Sequence, residues 1–247
     1  TDAIAYGYGT FGSRSAVIGG TALWLAADKV IAKARRIAAH LLEANEADIA
    51  FERGRFSIAG TDRSVTLKEV ARAAFAPSRL PPGMEPGLFE RAAFSPAAET
   101  FPNGTHVCEV EIDPETGRVT PVAYTVVDDV GTEINPLTLA GQVVGGVVQG
   151  LGQVLMEEIV YDRDSGQLLT ASFMDYAMPR ASDLCDFRLG HNPVPTKLNP
   201  LGVKGAGEAG TVGALAAVMN AIVDALGAED IQMPVTAEAV WHALRRA

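Results

Sequence analysis

Asn199-Pro200-Leu201-Gly202-Val203-Lys204-Gly205-Ala206-Gly207-Glu208-Ala209-Gly210 is the stretch on which the fold turns. Its last six residues have the spacing Gly-x-Gly-x-x-Gly and open a helix, the fingerprint of a dinucleotide-binding strand–turn–helix. What precedes them argues otherwise. Asn199 to Lys204 is turn-like and no buried strand, and Glu208 puts a carboxylate where a pyrophosphate would sit. The spacing recurs at Gly7-Tyr8-Gly9-Thr10-Phe11-Gly12. There the chain about 20 residues on, around Ala32-Lys33, is still inside a long helix and offers no acidic residue at a second strand. A Rossmann fold is excluded at both places.

The physics beneath the pattern survives. A Gly-rich turn feeding a helix N-terminus presents unpaired N–H groups and the positive end of the dipole. After the first turn, Ser13-Arg14-Ser15 adds two hydroxyls and a guanidinium. That is either a phosphate or pyrophosphate cradle or an ordinary Ser cap with a solvent-facing Arg. Glu208 is either a carboxylate stabilising a helix dipole or a general base that small neighbours leave open to substrate.

Outward from these turns, the periodicity predicts one long helix over 13–44, with Asn45 as its stop. A hairpin is expected across Arg53-Gly54, with strands at 49–52 and 55–58. Thr66 and Glu69 form a capping box for a second helix to about Phe75. No proline precedes Pro77; then Pro77, Pro81, Pro82 and Pro86 mark a linker or long loop. A strand pair is predicted at 105–112 and 119–127 around the turn residues 113–117. Asn135-Pro136 starts a helix to about Glu157 that carries Gly141, Gly145, Gly146, Gly150 and Gly152. Each interior helical glycine costs about 1 kcal/mol relative to Ala, so close approach of a backbone or ligand is expected there. Short strands and loops should fill 159–187. A helix is expected over 211–226, and a short closing helix from Pro234 to about Arg246. The chain reads as an N-terminal helical block with a small hairpin, 1–79, and an α+β block, 80–247.

The chain has 247 residues, with 20 Lys+Arg against 30 Asp+Glu and a net charge of −10. A basic footprint for nucleic acid is absent, and the apolar content is that of a folding chain. Two cysteines, Cys108 and Cys185, make neither a disulfide framework nor an iron–sulfur site. They fit a reducing, cytoplasmic setting. No uninterrupted apolar run of bilayer length is apparent, and residues 1–4 carry no signal-peptide core. His106 and His191 lack spaced partners, so no metal-ligand cluster is expected. Gln142, Gln149 and Gln153 lie on the Gly-rich helix, as ligand contacts or as core amides bonded to backbone. Asp128-Asp129 are either loop-end carboxylates or solvated turn residues.

In combination, these segments resemble the C-terminal part of the molybdopterin-binding large subunit of the xanthine oxidase / aldehyde oxidase / carbon monoxide dehydrogenase family. Gly9 to Ser15 resembles that family's loop for the pyrophosphate end of the pterin cofactor. Asp128-Asp129-Val130-Gly131, Asn135-Pro136, Gly141-Gln142 and Gly145-Gly146 to Gln149-Gly150 resemble its strand-to-helix signature. Pro200 to Gly210 resembles its active-site loop.

The resemblance implies an α+β molybdenum-cofactor-binding domain, with short mixed sheets, a long N-terminal helix and Gly-rich helices facing the cofactor. It implies Glu208 as the base beside molybdenum, and Gly12, Ser13, Arg14, Ser15, Gln142, Gly205, Ala206 and Gly207 as cofactor-binding residues. It also implies a molybdopterin in cytosine dinucleotide form. A small substrate (an aldehyde, an N-heterocycle or carbon monoxide) would be oxidised with oxygen from water. Iron–sulfur and FAD centres are expected on partner chains, and further cofactor loops in an upstream half of the molybdenum-binding subunit. Neither Cys108 nor Cys185 has the context of a copper ligand. No nucleic-acid partner and no membrane span are expected. A non-catalytic cofactor-binding or assembly module of the same fold is the alternative.

Overall fold

A computed structural model describes residues 7–227 and 230–246. The chain divides into two compact units, 18–95 and 1–17 with 96–247, so the boundary does not fall at 79/80. The physical reason lies in the Pro-rich stretch. Leu80 is buried in the smaller unit, and Met84 and Leu88 pack against the same core. The stretch begins with a 3-10 turn at Pro77–Arg79 and is a packed part of its unit.

In the smaller unit, helix α1 (Thr21–Leu42) begins later than the periodicity predicts, because Ser15–Gly20 is wound as a π-helical turn. It ends at Leu42, where Glu43 adopts a left-handed conformation, φ 49°. Asn45 instead caps a 3-10 turn at Glu46–Asp48. Strands β1 (Ile49–Glu52) and β2 (Arg55–Ile58) form the expected hairpin. A third strand, β3 (Ser64–Thr66), was not legible. Its pairing of Val65 with Phe56 completes a three-stranded antiparallel sheet. The capping box of α2 (Leu67–Ala74) is present: the Glu69 N–H donates to the Thr66 hydroxyl at 3.2 Å, and the Thr66 N–H to the Glu69 carboxylate at 2.7 Å. Ala34, Ile37, Ala38, Phe56, Val70 and Ala73 form the core, each large side chain contributing about 1.5–3 kcal/mol by leaving water.

The larger unit is built on strands β4 (Asn103–Ile112), β5 (Val119–Asp129) and β6 (Phe187–His191), in the order β4-β5-β6. The first pair is antiparallel with a register shift at Glu109/Val110; β6 runs parallel to β5. Helix α3 (Pro136–Leu155) is capped by the Asn135 side chain, which accepts from the N–H groups of Leu137 and Thr138. Helix α4 (Ala209–Leu226) starts two residues earlier than expected. Helix α5 (Ala237–Leu244) is capped by Thr236, so Pro234 precedes it and does not start it. Tyr124, Val126, Val143, Val147, Leu151, Ala214, Val218 and Ile222 fill the core between sheet and helices.

The glycines of α3 split into two groups. A Cβ on Gly146 would lie 3.0 Å from the Gly210 Cα, one on Gly150 2.5 Å from the Ala214 Cβ, and one on Gly152 2.9 Å from Pro179. Those three let α4 and the following loop approach. Gly141 and Gly145 face open space, so the expectation of a ligand-facing helix concerns those two positions alone.

Among the described residues, two helices, Ser15–Leu42 and Ala209–Leu226, are long and apolar enough to cross a membrane by length and composition alone. Small apolar residues raise the hydropathy of α4, while its Gly210, Ala214, Val218 and Ile222 face the core.

Candidate active site

The loop before α4 is fixed by its own backbone and three side chains. The buried Asn199 amide accepts from the Val203 N–H at 3.1 Å and donates to the Val203 carbonyl at 2.9 Å. The Lys204 N–H donates to Val130 O at 2.8 Å, and the Thr132 N–H to Gly202 O at 2.9 Å. Gly131 is left-handed, φ 66°, and a Cβ there would sit 2.2 Å from Gly202 O, so the close approach requires glycine. Asp129 ties the pieces together. It accepts from the N–H groups of Gly131 and Val194, each at 2.9 Å, and pairs with the Lys204 ammonium. Burial pushes the Asp129 carboxyl up, but the Lys204 ammonium and the two N–H donors outweigh it and hold it below its usual value. Of the two readings of Asp129, the loop-end carboxylate is the one observed.

The loop so fixed lies against residue 13. A Cβ on Gly205 would lie 2.3 Å from Ser13 O, so the two backbones lie flat on each other. The Ser13 hydroxyl donates to Glu208 Oε2 at 2.8 Å, and the Glu208 N–H donates back to Ser13 Oγ at 3.0 Å. A Cβ on Gly207 would sit 3.3 Å from Ser13 Oγ and 3.6 Å from Gln142 Oε1. Ser13, Gln142, Gly205, Gly207 and Glu208 therefore converge from three separate parts of the sequence. Glu208 and Gln142 are exposed, next to the open backbone of Gly141 and Gly145. Amide, hydroxyl and carboxylate thus share one edge, beside backbone with open space around it.

The other predicted residues stand apart. Arg14 donates to Gly9 O at 3.1 Å and lies over the Phe11 ring, 3.7 Å from its centroid. Ser15 pairs with Thr10 through their hydroxyls. Gly12 is left-handed, φ 57°, with open space around it. Ala206 packs against the core. Gln149 is exposed and accepts from the Thr211 hydroxyl at 3.4 Å, so it is no core amide bonded to backbone, and Gln153 is exposed as well. The open glycines at 7, 9 and 12, with the Thr10, Ser13, Arg14 and Ser15 side chains among them, fit a phosphate-bearing group.

One buried cluster gave no signal in the sequence. His106 Nδ1 lies 2.9 Å from the Tyr124 hydroxyl and its Nε2 3.6 Å from Asp128 Oδ1. The Asp128 side chain is only 2% exposed. Gly213 of α4 lies against the imidazole, where a Cβ would come within 2.6 Å of the ring. The cross-strand pairing His106↔Val126 and Cys108↔Tyr124 in the register explains the cluster, and only the register reveals it. Burial raises the Cys108 thiol to about 12, so it is a packing group and no ready nucleophile. Among the described residues, no group of His, Cys, Asp or Glu could hold a metal ion.

Residues 1–185 match the molybdopterin cofactor-binding domain family. The chain is 37% identical to the carbon monoxide dehydrogenase large chain of Hydrogenophaga pseudoflava over 99% of its own length and 31% of that relative's. It is 42% identical to the nicotine 6-hydroxylase large subunit of Paenarthrobacter nicotinovorans, over 98% of this chain and 30% of that one. Among solved structures, a Cu,Mo-CO dehydrogenase superposes with a TM-score of 0.89 at 38% identity, covering 99% of this chain and 31% of that one. Quinoline 2-oxidoreductase from Pseudomonas putida 86 superposes with a TM-score of 0.85 at 38% identity, covering 97% and 31%. The chain thus spans about a third of the length of these relatives.

Proposed function

The chain belongs to the molybdopterin cofactor-binding domain family, and from that premise we propose that it supplies the base-bearing part of a molybdenum hydroxylase. The reaction is oxidation of a small substrate (an aldehyde, an N-heterocycle or carbon monoxide) with water as the oxygen source. The observation that carries the reading is the convergence of Ser13, Gln142, Gly207 and Glu208 at one open edge.

When bound, the molybdenum cofactor would supply the two-electron oxidation. The residues of this chain do the rest of what the reading assigns here. Adding a water oxygen to a substrate carbon releases two protons with the two electrons. Glu208 takes one of those protons on its carboxylate. It stands at the mouth of α4 behind Gly207, and no side chain at 207 blocks a substrate carbon from approaching it. The Gln142 amide would hold the pterin, together with the backbone of Gly205, Ala206 and Gly207. Gly12, Ser13, Arg14 and Ser15 hold the pyrophosphate of a cytosine dinucleotide form. For Arg14 this exchanges the Gly9 carbonyl for a phosphate oxygen, a stronger charge-assisted partner.

The electrons leave to iron–sulfur and FAD centres on partner chains, and an upstream half of the molybdenum-binding subunit completes the cofactor site. A reducing, cytoplasmic location is part of the proposal. The test is the composition of the intact complex purified with its partners. Stoichiometric molybdenum and released cytidine phosphate are expected; a complex with neither overturns the reading.

A further inference from the structure

Ser13 does something that a phosphate cradle does not need. Its backbone is left-handed, φ 55°, directly after a left-handed Gly12, a conformation that a serine adopts only when its surroundings impose it. The imposition is visible: Gly205 lies flat on the Ser13 backbone, where a Cβ would meet Ser13 O at 2.3 Å and Ser13 Cβ at 2.6 Å. That packing points the hydroxyl at one residue, Glu208. A hydroxyl has one proton and two lone pairs. Here the proton goes to Glu208 Oε2 at 2.8 Å, and one lone pair takes the Glu208 N–H at 3.0 Å. Arg14 and Ser15 are turned to other partners, Gly9 and Thr10.

Glu208 also has no other help at that point of the helix. It is the N-cap residue of α4 and its side chain makes no cap bond of its own. The Ser13 hydroxyl caps that turn from 195 residues away. Bonds to both the backbone and the carboxylate of one glutamate close a ring that fixes its side-chain torsions, which an exposed glutamate would otherwise sample freely.

We propose that Ser13 is the positioning residue for Glu208, holding its carboxylate by Oε2 so that Oε1 is the oxygen presented to the reaction. The proposal rests on the reading of Glu208 as the base. It moves Ser13 from the cofactor's phosphates to the base itself, while Arg14 and Ser15 remain with the phosphates.

The experiment uses the complete complex carrying Ser13→Gly, which tolerates the left-handed backbone and removes only the hydroxymethyl group. Ser13→Ala is the second variant and Glu208→Gln the reference. Molybdenum and cytidine phosphate are measured per complex, and amide hydrogen exchange is followed in peptides spanning 205–211. Dye-linked turnover is measured with carbon monoxide, nicotine and quinoline. The expected result is full cofactor content in both Ser13 variants and exchange at the Glu208 N–H faster by about tenfold, since its acceptor is gone. The kcat should fall about a hundredfold, the order expected when a reacting group is misplaced by an ångström, with KM unchanged.

Wild-type kcat in both Ser13 variants overturns the proposal, as does a loss of activity that only mirrors lost cofactor. Glu208→Gln separates the two readings. If it turns over normally, the base reading falls and Ser13 loses its role with it. If it is inactive while Ser13→Gly is normal, Ser13 alone is removed. A wild-type complex that carries cofactor and oxidises neither these three probes nor an aldehyde such as benzaldehyde removes the reaction and this role together.

Discussion

Glu208→Gln is the sharpest change a single residue offers, because the amide keeps the size of the carboxylate and loses its ability to take a proton. Cofactor content should stay at the wild-type level while kcat falls by about 10²–10⁴; molybdenum per complex and steady-state turnover check it. Arg14→Ala tests the other end of the site. The guanidinium sits over Phe11 beside an exposed Gly-rich loop, so its loss should lower retained cytidine phosphate severalfold and leave the melting temperature of the complex nearly unchanged. Equal cofactor content in the variant removes Arg14 from the phosphates. At this scale the sequence made much of the site legible. The position of Glu208 between Gly207 and Ala209 at a helix start is a local pattern. The Ser13–Glu208 pair is not, since no periodicity connects residues so far apart, and the left-handed φ of Ser13 has no signature in a residue that favours helix caps. His106 was indistinguishable from any lone histidine until the β4–β5 register set it beside Tyr124 and Asp128.

Between elements, the glycines decide how α3 and α4 meet. A Cβ on Gly210 would lie 2.4 Å from Val143 O and 2.8 Å from the Val147 N. Gly210→Ala should therefore force the helices apart and cost about 1–3 kcal/mol. Gly145, nearly three turns from the Asn135 cap and facing open space, should behave in the opposite way. There Gly→Ala gains helix propensity and should stabilise the protein by about 0.5–1 kcal/mol. Thermal or denaturant unfolding of the two variants compares them directly; equal damage from both would remove the division of these glycines into packing and open positions. The strand pair, the capping box and the Gly-rich helix were legible because each is written in local spacing. The late start of α1, the third strand of the small sheet and β6 were not. Their residues are ordinary, and partners distant in sequence determine their conformation.

For the molecule as a whole, the Asp129–Lys204 clamp predicts an acid limb of stability. The folded Asp129 carboxyl is held below its ordinary value. Its contribution is therefore full above the unfolded carboxylate range, about 3.9, and is lost as pH falls through the folded value. Asp129→Asn should be less stable than the wild type near neutrality and should show a shallower decline on acidification. Melting temperatures across that pH range check it, and parallel acid limbs would assign the wild-type decline to other carboxylates. The domain cut at 79/80 failed as a reading of the whole because composition marks prolines and not the burial of Leu80.

Ser13 and Glu208, which face each other across the site, are separated by 195 residues of chain. A ribosome adding about 5–20 residues per second needs roughly 10–40 seconds to pass from one to the other. Through that interval the first half of the site is exposed with nothing to close on. An edge built from Ser13 and Glu208 is therefore complete only once nearly the whole segment has been synthesised.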